Sequence, residues 1–346
     1  MKTKAAWVAA LCLLGSPAAF GQRQGPGRTY DATIEAPRAQ GQAAGQAPGQ
    51  AQPQAPPTDT EAPDIPGVVK GGTKVQVIKD GFRDTEGPIA LPDGSLIFTE
   101  TGASRITKID KDGNASTFLE NTNGSNGLAF DSKGRLISVQ TTPGSMKVGV
   151  IYPKGSETVL TDNFEGKPYN RPNDLVVDKK GGVYFTDFAF AAPAPGSPPA
   201  AVYYIPPGGK PIKVADDPRP NGIQLSPDEK VLYVNTNGEY LLALDVQKDG
   251  TLKNPRNFGK YEGIPQGQTP RGDGLAVDSQ GRVYAVTIVG VQVFSPKGQY
   301  LGTIPVSRVP QNLAFAGPDK KTLYIVGRGV AFKVQMLAQG YKGRAK

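Results

Sequence analysis

Six segments of the chain repeat one pattern, and this repetition limits the fold more than any other feature. Each segment has a short apolar run, a polar turn with Asp, Gly or Lys, and a second run of β-branched and aromatic residues. A polar turn between two such runs is typical of a β-hairpin. The segments are EGPIALPDGSLIFTE from Glu86, NGLAFDSKGRLISVQ from Asn126, NDLVVDKKGGVYFTD from Asn173, NGIQLSPDEKVLYVN from Asn221, DGLAVDSQGRVYAVT from Asp273 and QNLAFAGPDKKTLYIV from Gln311.

The spacing of these segments predicts the size of the repeating unit. Successive segments begin 40, 47, 48, 52 and 38 residues apart, which suits a four-stranded unit of ~40 to 50 residues. Further strands are predicted in the intervals, at residues 105–109, 147–152, 201–205, 240–245 and 291–295. We therefore predict an all-β fold, a single six-bladed β-propeller, in which residues 75–78 complete the last blade and close the ring.

The residues at the start of the sequence predict a secretory leader. Lys2 and Lys4 precede a mostly apolar run, and Ala19 and Gly21 supply the small side chains that a signal peptidase reads. The apolar run of about ten residues is too short to span a bilayer, which needs ~20. Residues 1–21 are thus predicted to be a cleaved signal peptide, with an uncleaved anchor as the alternative, and the protein is expected to be secreted or periplasmic.

A segment of very low complexity follows the leader. Residues 39–57 contain only Ala, Gln, Gly and Pro, which offer almost no apolar surface to offset the entropy of ordering. Residues 22–66 are therefore predicted to be a disordered linker, and residues 67–346 to be the propeller, expected to be a monomer. The basic stretch at residues 339–346, QGYKGRAK, is predicted to be a frayed end.

Composition excludes several classes of active site. The chain contains no His, and its one Cys, Cys12, lies in the predicted leader. A Ser-His-Asp or Cys-His nucleophile, a His or Cys metal site and a disulfide are therefore excluded from the mature chain. The formal net charge of +8 comes from scattered Lys and Arg, which predicts a solvated basic surface and no nucleic-acid site. Any metal must be bound by oxygen.

Oxygen-bearing side chains recur at one repeat position. The first strand of each propeller blade lines the central channel, so the residues that open the six hairpins are predicted to converge at one end of it. Asn and Asp before Gly are also common in turns, but turns do not explain six carboxylates or carboxamides at one position. Two carboxylates and four amides suit a hard divalent cation: Ca²⁺ is preferred, with Mg²⁺, Mn²⁺ or Zn²⁺ as alternatives. The six residues are Glu86, Asn126, Asn173, Asn221, Asp273 and Gln311.

The same segments resemble the senescence-marker-protein/gluconolactonase family, the six-bladed propellers that include regucalcin-like lactonases. The resemblance covers residues 75–334 and keeps the order and spacing of the motifs. In that family a divalent metal is held by the Glu of an EGP motif, the Asn of a PNG motif and the Asp of a DG motif. By resemblance these ligands are Glu86, Asn221 and Asp273.

The resemblance also implies residues that bind substrate. The Asn of the family's R-x-N-D motif lies at the metal or contacts substrate, and it corresponds to Asn173, with Arg171 as a neighbouring substrate contact. A surface role is the alternative for Arg171, which lies beside Pro172. Asn126 and Gln311 are predicted only to line the pocket.

The implied activity is metal-dependent opening of a small sugar lactone. The metal would act as a Lewis acid on the carbonyl, and Asp273 would assist the attacking water as general base. Asp273 is chosen because it is the shortest carboxylate of the ring and, by resemblance, contacts both metal and water. Two alternatives remain: an organophosphate or other ester hydrolase that uses the same oxygen cage, and a secreted propeller without enzymatic activity whose Ca²⁺ is structural.

Overall fold

The regular structure of the chain consists of short strands. The computed structural model describes residues 55–188, 196–198, 200–216 and 219–346, so the predicted signal peptide and most of the predicted linker lie outside the described residues. Within these ranges there is a single 3₁₀ turn, Thr101–Ala103, and no α-helix. Accordingly, no helix in the described ranges has the length and apolar character needed to cross a membrane.

Twenty-seven strands are found in the described residues, in the following chain order: β1 (Thr60–Glu61), β2 (Lys74–Lys79), β3 (Thr85–Ala90), β4 (Leu96–Glu100), β5 (Arg105–Ile109), β6 (Ala115–Glu120), β7 (Ser125–Phe130), β8 (Leu136–Gln140), β9 (Lys147–Tyr152), β10 (Thr158–Thr161), β11 (Asn163–Phe164), β12 (Lys167–Pro168), β13 (Pro172–Val177), β14 (Val183–Asp187), β15 (Ala201–Ile205), β16 (Ile212–Asp216), β17 (Ile223–Leu225), β18 (Val231–Val234), β19 (Tyr240–Val246), β20 (Leu252–Lys260), β21 (Leu275–Val277), β22 (Val283–Thr287), β23 (Gly290–Phe294), β24 (Tyr300–Ile304), β25 (Asn312–Ala316), β26 (Thr322–Gly327) and β27 (Val330–Gln335).

The strands form six antiparallel sheets, which are the predicted blades. Blades one to five are β3–β6, β7–β10, β13–β16, β17–β20 and β21–β24, and β11 and β12 form a small hairpin between the second and third blades. The first strand of every blade contacts the first strand of the next, and β25 contacts β3, so the six innermost strands form a closed ring. The predicted six-bladed propeller is confirmed, and so are the five predicted additional strands, which correspond to β5, β9, β15, β19 and β23.

The sixth blade is assembled from both ends of the folded region. Its inner strands are β25, β26 and β27, and its outer strands are β2 and β1. Val75 in β2 pairs with Val334 in β27 in antiparallel register. The prediction that residues 75–78 close the last blade is confirmed.

Apolar cores lie between neighbouring blades. The described residues form six clusters of buried side chains, and each joins two adjacent blades around the ring. Because each blade packs on both faces, strands such as β4 and β14 are buried along their whole length and do not alternate between buried and exposed residues. Buried tyrosines recur at one position in four hairpins and lie in four of these clusters: Tyr184, Tyr233, Tyr284 and Tyr324.

Two segments predicted to be disordered or frayed are ordered. Residues 55–66 belong to the folded region, because β1 pairs with β2 and because Ala62 and Ile65 are buried in the core between the fifth and sixth blades. The prediction that the linker extends to residue 66 is therefore wrong. The prediction of a frayed end at residues 339–346 is also wrong, since Lys346 is only 6% exposed. Local composition did not reveal these partners, which are distant in sequence.

Candidate functional site

The six predicted ring residues occupy equivalent places in the fold. Three are the second residues of innermost strands, and three directly precede such strands or come two residues before them. All six therefore lie at the same end of the central channel. Their positions are Glu86 in β3, Asn126 in β7, Asn173 in β13, Asn221 before β17, Asp273 before β21 and Gln311 before β25.

Glycines that follow four of the ring residues allow neighbouring strands to approach closely. A β-carbon at Gly87 would lie 2.1 Å from the carbonyl oxygen of Asn126, and one at Gly222 would lie 2.1 Å from the carbonyl oxygen of Asp273. A β-carbon at Gly127 would lie 2.7 Å from atoms of Asp174, and one at Gly274 would lie 2.0 Å from Oδ1 of Asn312, both in the next blade. These glycines are therefore packing positions that bring one ring residue next to another, and they are not turn residues.

We expect Gly222→Ala to destabilise the fold by about 1–3 kcal/mol, because the added methyl group would overlap backbone atoms of Asp273 and Gly274. The free energy of unfolding from urea titration measures the effect. Gly238→Ala is the matched control, since its nearest neighbour is the hydroxyl of Thr236, and we expect it to change stability by less than about 0.5 kcal/mol. Equal effects of the two substitutions would contradict the packing argument.

Glu86 is a buried carboxylate held by the sixth blade. Its Oε1 accepts a hydrogen bond from Gln311 Nε2 at 3.3 Å, and its Oε2 accepts one from Asn312 Nδ2 at 3.1 Å. Burial raises the pKa of Glu86 to about 7, the Asn312 amide opposes this rise, and the negative charge of Asp174 adds to it. The Oε1 of Gln311 accepts the backbone N–H of Arg328 at 2.7 Å. Gln311 thus orients Glu86, and its predicted place in the pocket lining stays a prediction.

Asp273 opens the fifth blade, separated from Glu86 by the sixth blade alone, and its backbone is fixed by the fourth blade. Asn235 Nδ2 donates to the carbonyl oxygen of Asp273 at 2.7 Å, and Asn235 Oδ1 accepts from the hydroxyl of Tyr261. Burial raises the pKa of the Asp273 carboxyl well above its usual range, and the charges of Glu86 and Asp174 raise it further. The negative charges of Glu86 and Asp273 therefore repel each other, and the nearby positive charges do not offset this repulsion.

Two ring amides have buried oxygens that accept no hydrogen bond within the described structure. These are Oδ1 of Asn126 and Oδ1 of Asn221. A buried polar atom without a partner costs about 1–3 kcal/mol, so such atoms call for a specific explanation. Asn173 is also buried, with 8% of its surface exposed. The amide oxygens and the two carboxylates together are the donor set that a hard cation prefers.

The segment that carries Arg171 lies just before the first strand of the third blade and is held by a buried carboxylate. The backbone N–H of Arg171 donates to Asp187 Oδ1 at 2.7 Å, and Asn170 donates to Asp187 Oδ2 through both its backbone N–H, at 3.0 Å, and its side chain, at 2.8 Å. Burial raises the pKa of Asp187 to about 6, against the effect of these donors. Asp187 therefore fixes the backbone of the Arg171 segment next to the ring.

Sequence reasoning missed four polar residues around the ring. Asp187 and Asn235 come at or just after the end of the second strand of a blade, where the repeats read FTD and YVN, and a polar residue at this repeat position was the available signal. Asp174 and Asn312 stand where the other four repeats have Gly, so their side chains occupy space that the glycines leave open. Asp174 Oδ2 accepts a hydrogen bond from Lys346 Nζ at 2.6 Å.

The donor set of the ring fits one hard divalent cation. The two unpaired amide oxygens and the raised pKa values of both carboxyls are the features that such an ion would satisfy. Nowhere in the described residues, the ring included, is a cluster of three or more His, Cys, Asp or Glu side chains arranged to hold a metal. The ring differs from such clusters because amides supply much of its oxygen.

Comparison with known proteins gives one consistent result. The profile of the family described as SMP-30/gluconolactonase/LRE-like region matches residues 85–328. A gluconolactonase of Zymomonas mobilis is 30% identical over 271 residues, which are 70% of this chain and 75% of that protein. Lactonase drp35 of Staphylococcus haemolyticus is 28% identical over 242 residues, 66% of this chain and 71% of that protein. The solved structure of a gluconolactonase from Xanthomonas campestris is similar with a TM-score of 0.68 and 28% identity, covering 82% of this chain and 99% of that one.

Proposed function

Because the chain belongs to the SMP-30/gluconolactonase/LRE-like family, we propose that it hydrolyses a sugar lactone at the ring of carboxylates and amides. One observation carries this proposal: the ring contains both two carboxyl groups and two amide oxygens that accept no hydrogen bond. The carboxyl groups are those of Glu86 and Asp273, and burial raises the pKa of each. This arrangement combines a cation site with a carboxylate able to accept a proton.

The proposed cation ligands are oxygens of Glu86, Asn173, Asn221 and Asp273. Two carboxylates match the charge of a divalent ion, and amide oxygens complete the shell without further charge. Ca²⁺ is the first choice, and Mg²⁺, Mn²⁺ or Zn²⁺ are alternatives. When bound, the cation would supply Lewis acidity toward the lactone carbonyl.

Asp273 is proposed as the general base. Its carboxylate would take a proton from water as the water oxygen bonds to the carbonyl carbon. The bond between that carbon and the ester oxygen within the lactone then breaks. The proton passes from Asp273 to this departing oxygen, which becomes a hydroxyl group. The hydrogen bond from Asn235 to the Asp273 backbone holds the base in place for this transfer.

The remaining ring residues are proposed to orient the substrate. Arg171 and Asn173 can donate to the oxygens of a polyhydroxylated lactone, and the segment before β13 that carries Arg171 is fixed by Asp187. Asn126 and Gln311 are proposed to line the pocket. We further propose that the chain acts as an exported monomer, on the basis of the leader pattern and of a domain that closes its own ring.

The direct test is ring opening of glucono-δ-lactone and related sugar lactones by the purified chain, followed with a pH indicator. We expect a kcat/KM of about 10⁴ M⁻¹s⁻¹ or more. A phosphotriester assayed in parallel separates the organophosphatase alternative, and its turnover without lactone opening would refute the proposed substrate class. A cation that raises the melting temperature of a protein inactive on both substrates would point instead to a structural site.

A further inference from the structure

Residues 339–346 close the end of the channel that lies opposite the ring. The backbone N–H of Ala90 donates to the carbonyl oxygen of Ala345 at 2.8 Å, and that of Tyr341 donates to the carbonyl oxygen of Val277 at 3.2 Å. Ala90 and Val277 are the last residues of β3 and β21, whereas the ring residues lie where these strands begin. The segment, called the channel plug below, therefore lies at the far ends of the innermost strands.

Two partly buried cations hold the channel plug. The guanidinium of Arg344 donates to the carbonyl oxygens of Leu225 and Ser226, both at 2.8 Å, and its side chain is 8% exposed. The ammonium of Lys320 donates to the carbonyl oxygens of Tyr341, at 3.1 Å, and Arg344. The fourth and sixth blades thus fix the plug, and its position is specific.

The plug directs one lysine toward the ring. Lys346 Nζ lies 2.6 Å from Asp174 Oδ2, and the two side chains are 6% and 0% exposed. Asp174 directly follows the ring residue Asn173, so the ion pair lies immediately below the ring. Leaving one buried charge of such a pair without its partner is strongly unfavourable, which means that the two charges are retained together.

Both charges act on the ring carboxyls, with opposite sign. Asp174 directly follows the ring residue Asn173, and Lys346 Nζ is held 2.6 Å from its carboxylate, so a negative and a positive charge both lie within electrostatic reach of Glu86 and Asp273. The formal charges of Glu86, Asp273 and Asp174 sum to −3, and Lys346 brings the total to −2. Lys346 thus neutralises Asp174 and leaves the two ring carboxylates to match one divalent cation, while Arg328 adds a further positive charge that acts on Asp273.

We propose that the channel plug supplies the cation site with one residue, Lys346, which sets the charge beneath the ring through its ion pair with Asp174. The inference depends on the cation site of the proposed function. Lys346 is a positioning residue, because it contacts Asp174 and does not contact the reacting atoms. Without Lys346, the ring would carry an excess negative charge and would bind Ca²⁺ more tightly than the unaltered site does. Tighter binding of the cation would not suit a site that must also exchange substrate and product.

The test is calorimetric titration of the chelator-treated full chain with Ca²⁺ alone. Lys346→Met is expected to tighten Ca²⁺ binding about tenfold, and Asp174→Asn, which leaves Lys346 unpaired, to weaken it about tenfold. The double variant, which removes both charges, is expected to bind within about threefold of the unaltered chain, since the two changes cancel. Circular dichroism and a thermal melt establish that each variant is folded.

Two controls separate charge from structure, and one further variant replaces Lys346→Met if that chain does not fold. Lys346→Arg keeps the charge and is expected to retain the original affinity. Lys342→Met removes an exposed cation from the same segment and is expected to leave the affinity unchanged. If Lys346→Met does not fold, Lys346→Gln carries the same prediction, because its amide still donates a hydrogen bond to Asp174.

The possible results separate this inference from the proposed function. Binding by the unaltered chain, with both single variants unshifted or shifted in the same direction, overturns the role of Lys346 and leaves the cation site intact. Absence of binding of Ca²⁺, Mg²⁺, Mn²⁺ and Zn²⁺ alike by the unaltered chain overturns both. Opposite shifts that cancel in the double variant support both.

Discussion

Replacing Asp273 with Asn is expected to lower kcat for lactone opening by about 10²–10⁴-fold, the usual contribution of a positioned general base. Asparagine has the size of aspartate and keeps one carbonyl oxygen that can serve as a ligand, but it cannot accept a proton. The cation affinity should therefore fall much less than kcat. Steady-state kinetics and Ca²⁺ titration of the same preparation measure the two effects.

The control for this substitution is Asp319→Asn in the exposed turn between β25 and β26. Asp319 accepts the backbone N–H of Lys321, and an amide oxygen can accept that bond equally well, so we expect unchanged activity. Retention of more than about a tenth of the original kcat by Asp273→Asn would rule out Asp273 as the base. A substrate-assisted or different carboxylate mechanism would then be needed.

Removal of divalent cations is expected to reduce lactone opening by at least about 100-fold, since charge stabilisation at a developing oxyanion contributes about that much. Activity should return when Ca²⁺, Mg²⁺, Mn²⁺ or Zn²⁺ is added, and the order of recovery identifies the preferred ion. The melting temperature should rise as well, because a ligand at 100 times its Kd stabilises the native state by about 2.7 kcal/mol.

Glu86→Gln provides the matched variant for the cation prediction. The substitution keeps the size of the side chain and removes one of the two ring carboxylates, so reactivation should require a higher cation concentration. The chain should nevertheless remain folded, because burial already raises the pKa of Glu86 to about 7 and a neutral side chain suits this position. Activity that is indifferent to both chelator and this substitution would contradict a cation in the ring.

The repeat made most of the fold predictable from the sequence. Each hairpin has its own two apolar runs and its own polar turn. The blades and their order can therefore be predicted from this local pattern alone. The convergence of Glu86 and Asp273, which are far apart in the chain, follows from the same repeat, because equivalent positions of a closed ring must meet at one end. Knowledge of the repeat thus predicts which residues lie together but does not predict what each one contacts.

The contacts that the sequence did not predict are long-range and specific to one place in the ring. Lys346 pairs with Asp174 across a separation of 172 residues, and nothing in the local pattern of either residue indicates the other. A short basic segment has the composition of a solvated end, and only the open channel mouth gives it buried partners. The order of residues 55–66 was missed for a similar reason. Polar residues and prolines dominate this segment, and two isolated apolar residues, Ala62 and Ile65, do not indicate a buried strand.

The construction of the sixth blade also affects how the chain folds. Strand β2 is synthesised before the first blade, although it belongs to the sixth. Its partner β27 leaves the ribosome only after nearly the whole domain has been made. Until then β2 has an unpaired edge, and the first and sixth blades cannot close on each other. Loops of this length close slowly, so completion of the ring is expected to be the late step of folding. A nascent chain halted before Gln311 and β25 would therefore hold five blades and an open gap, and the ring that unites Glu86 with Gln311 would not yet exist.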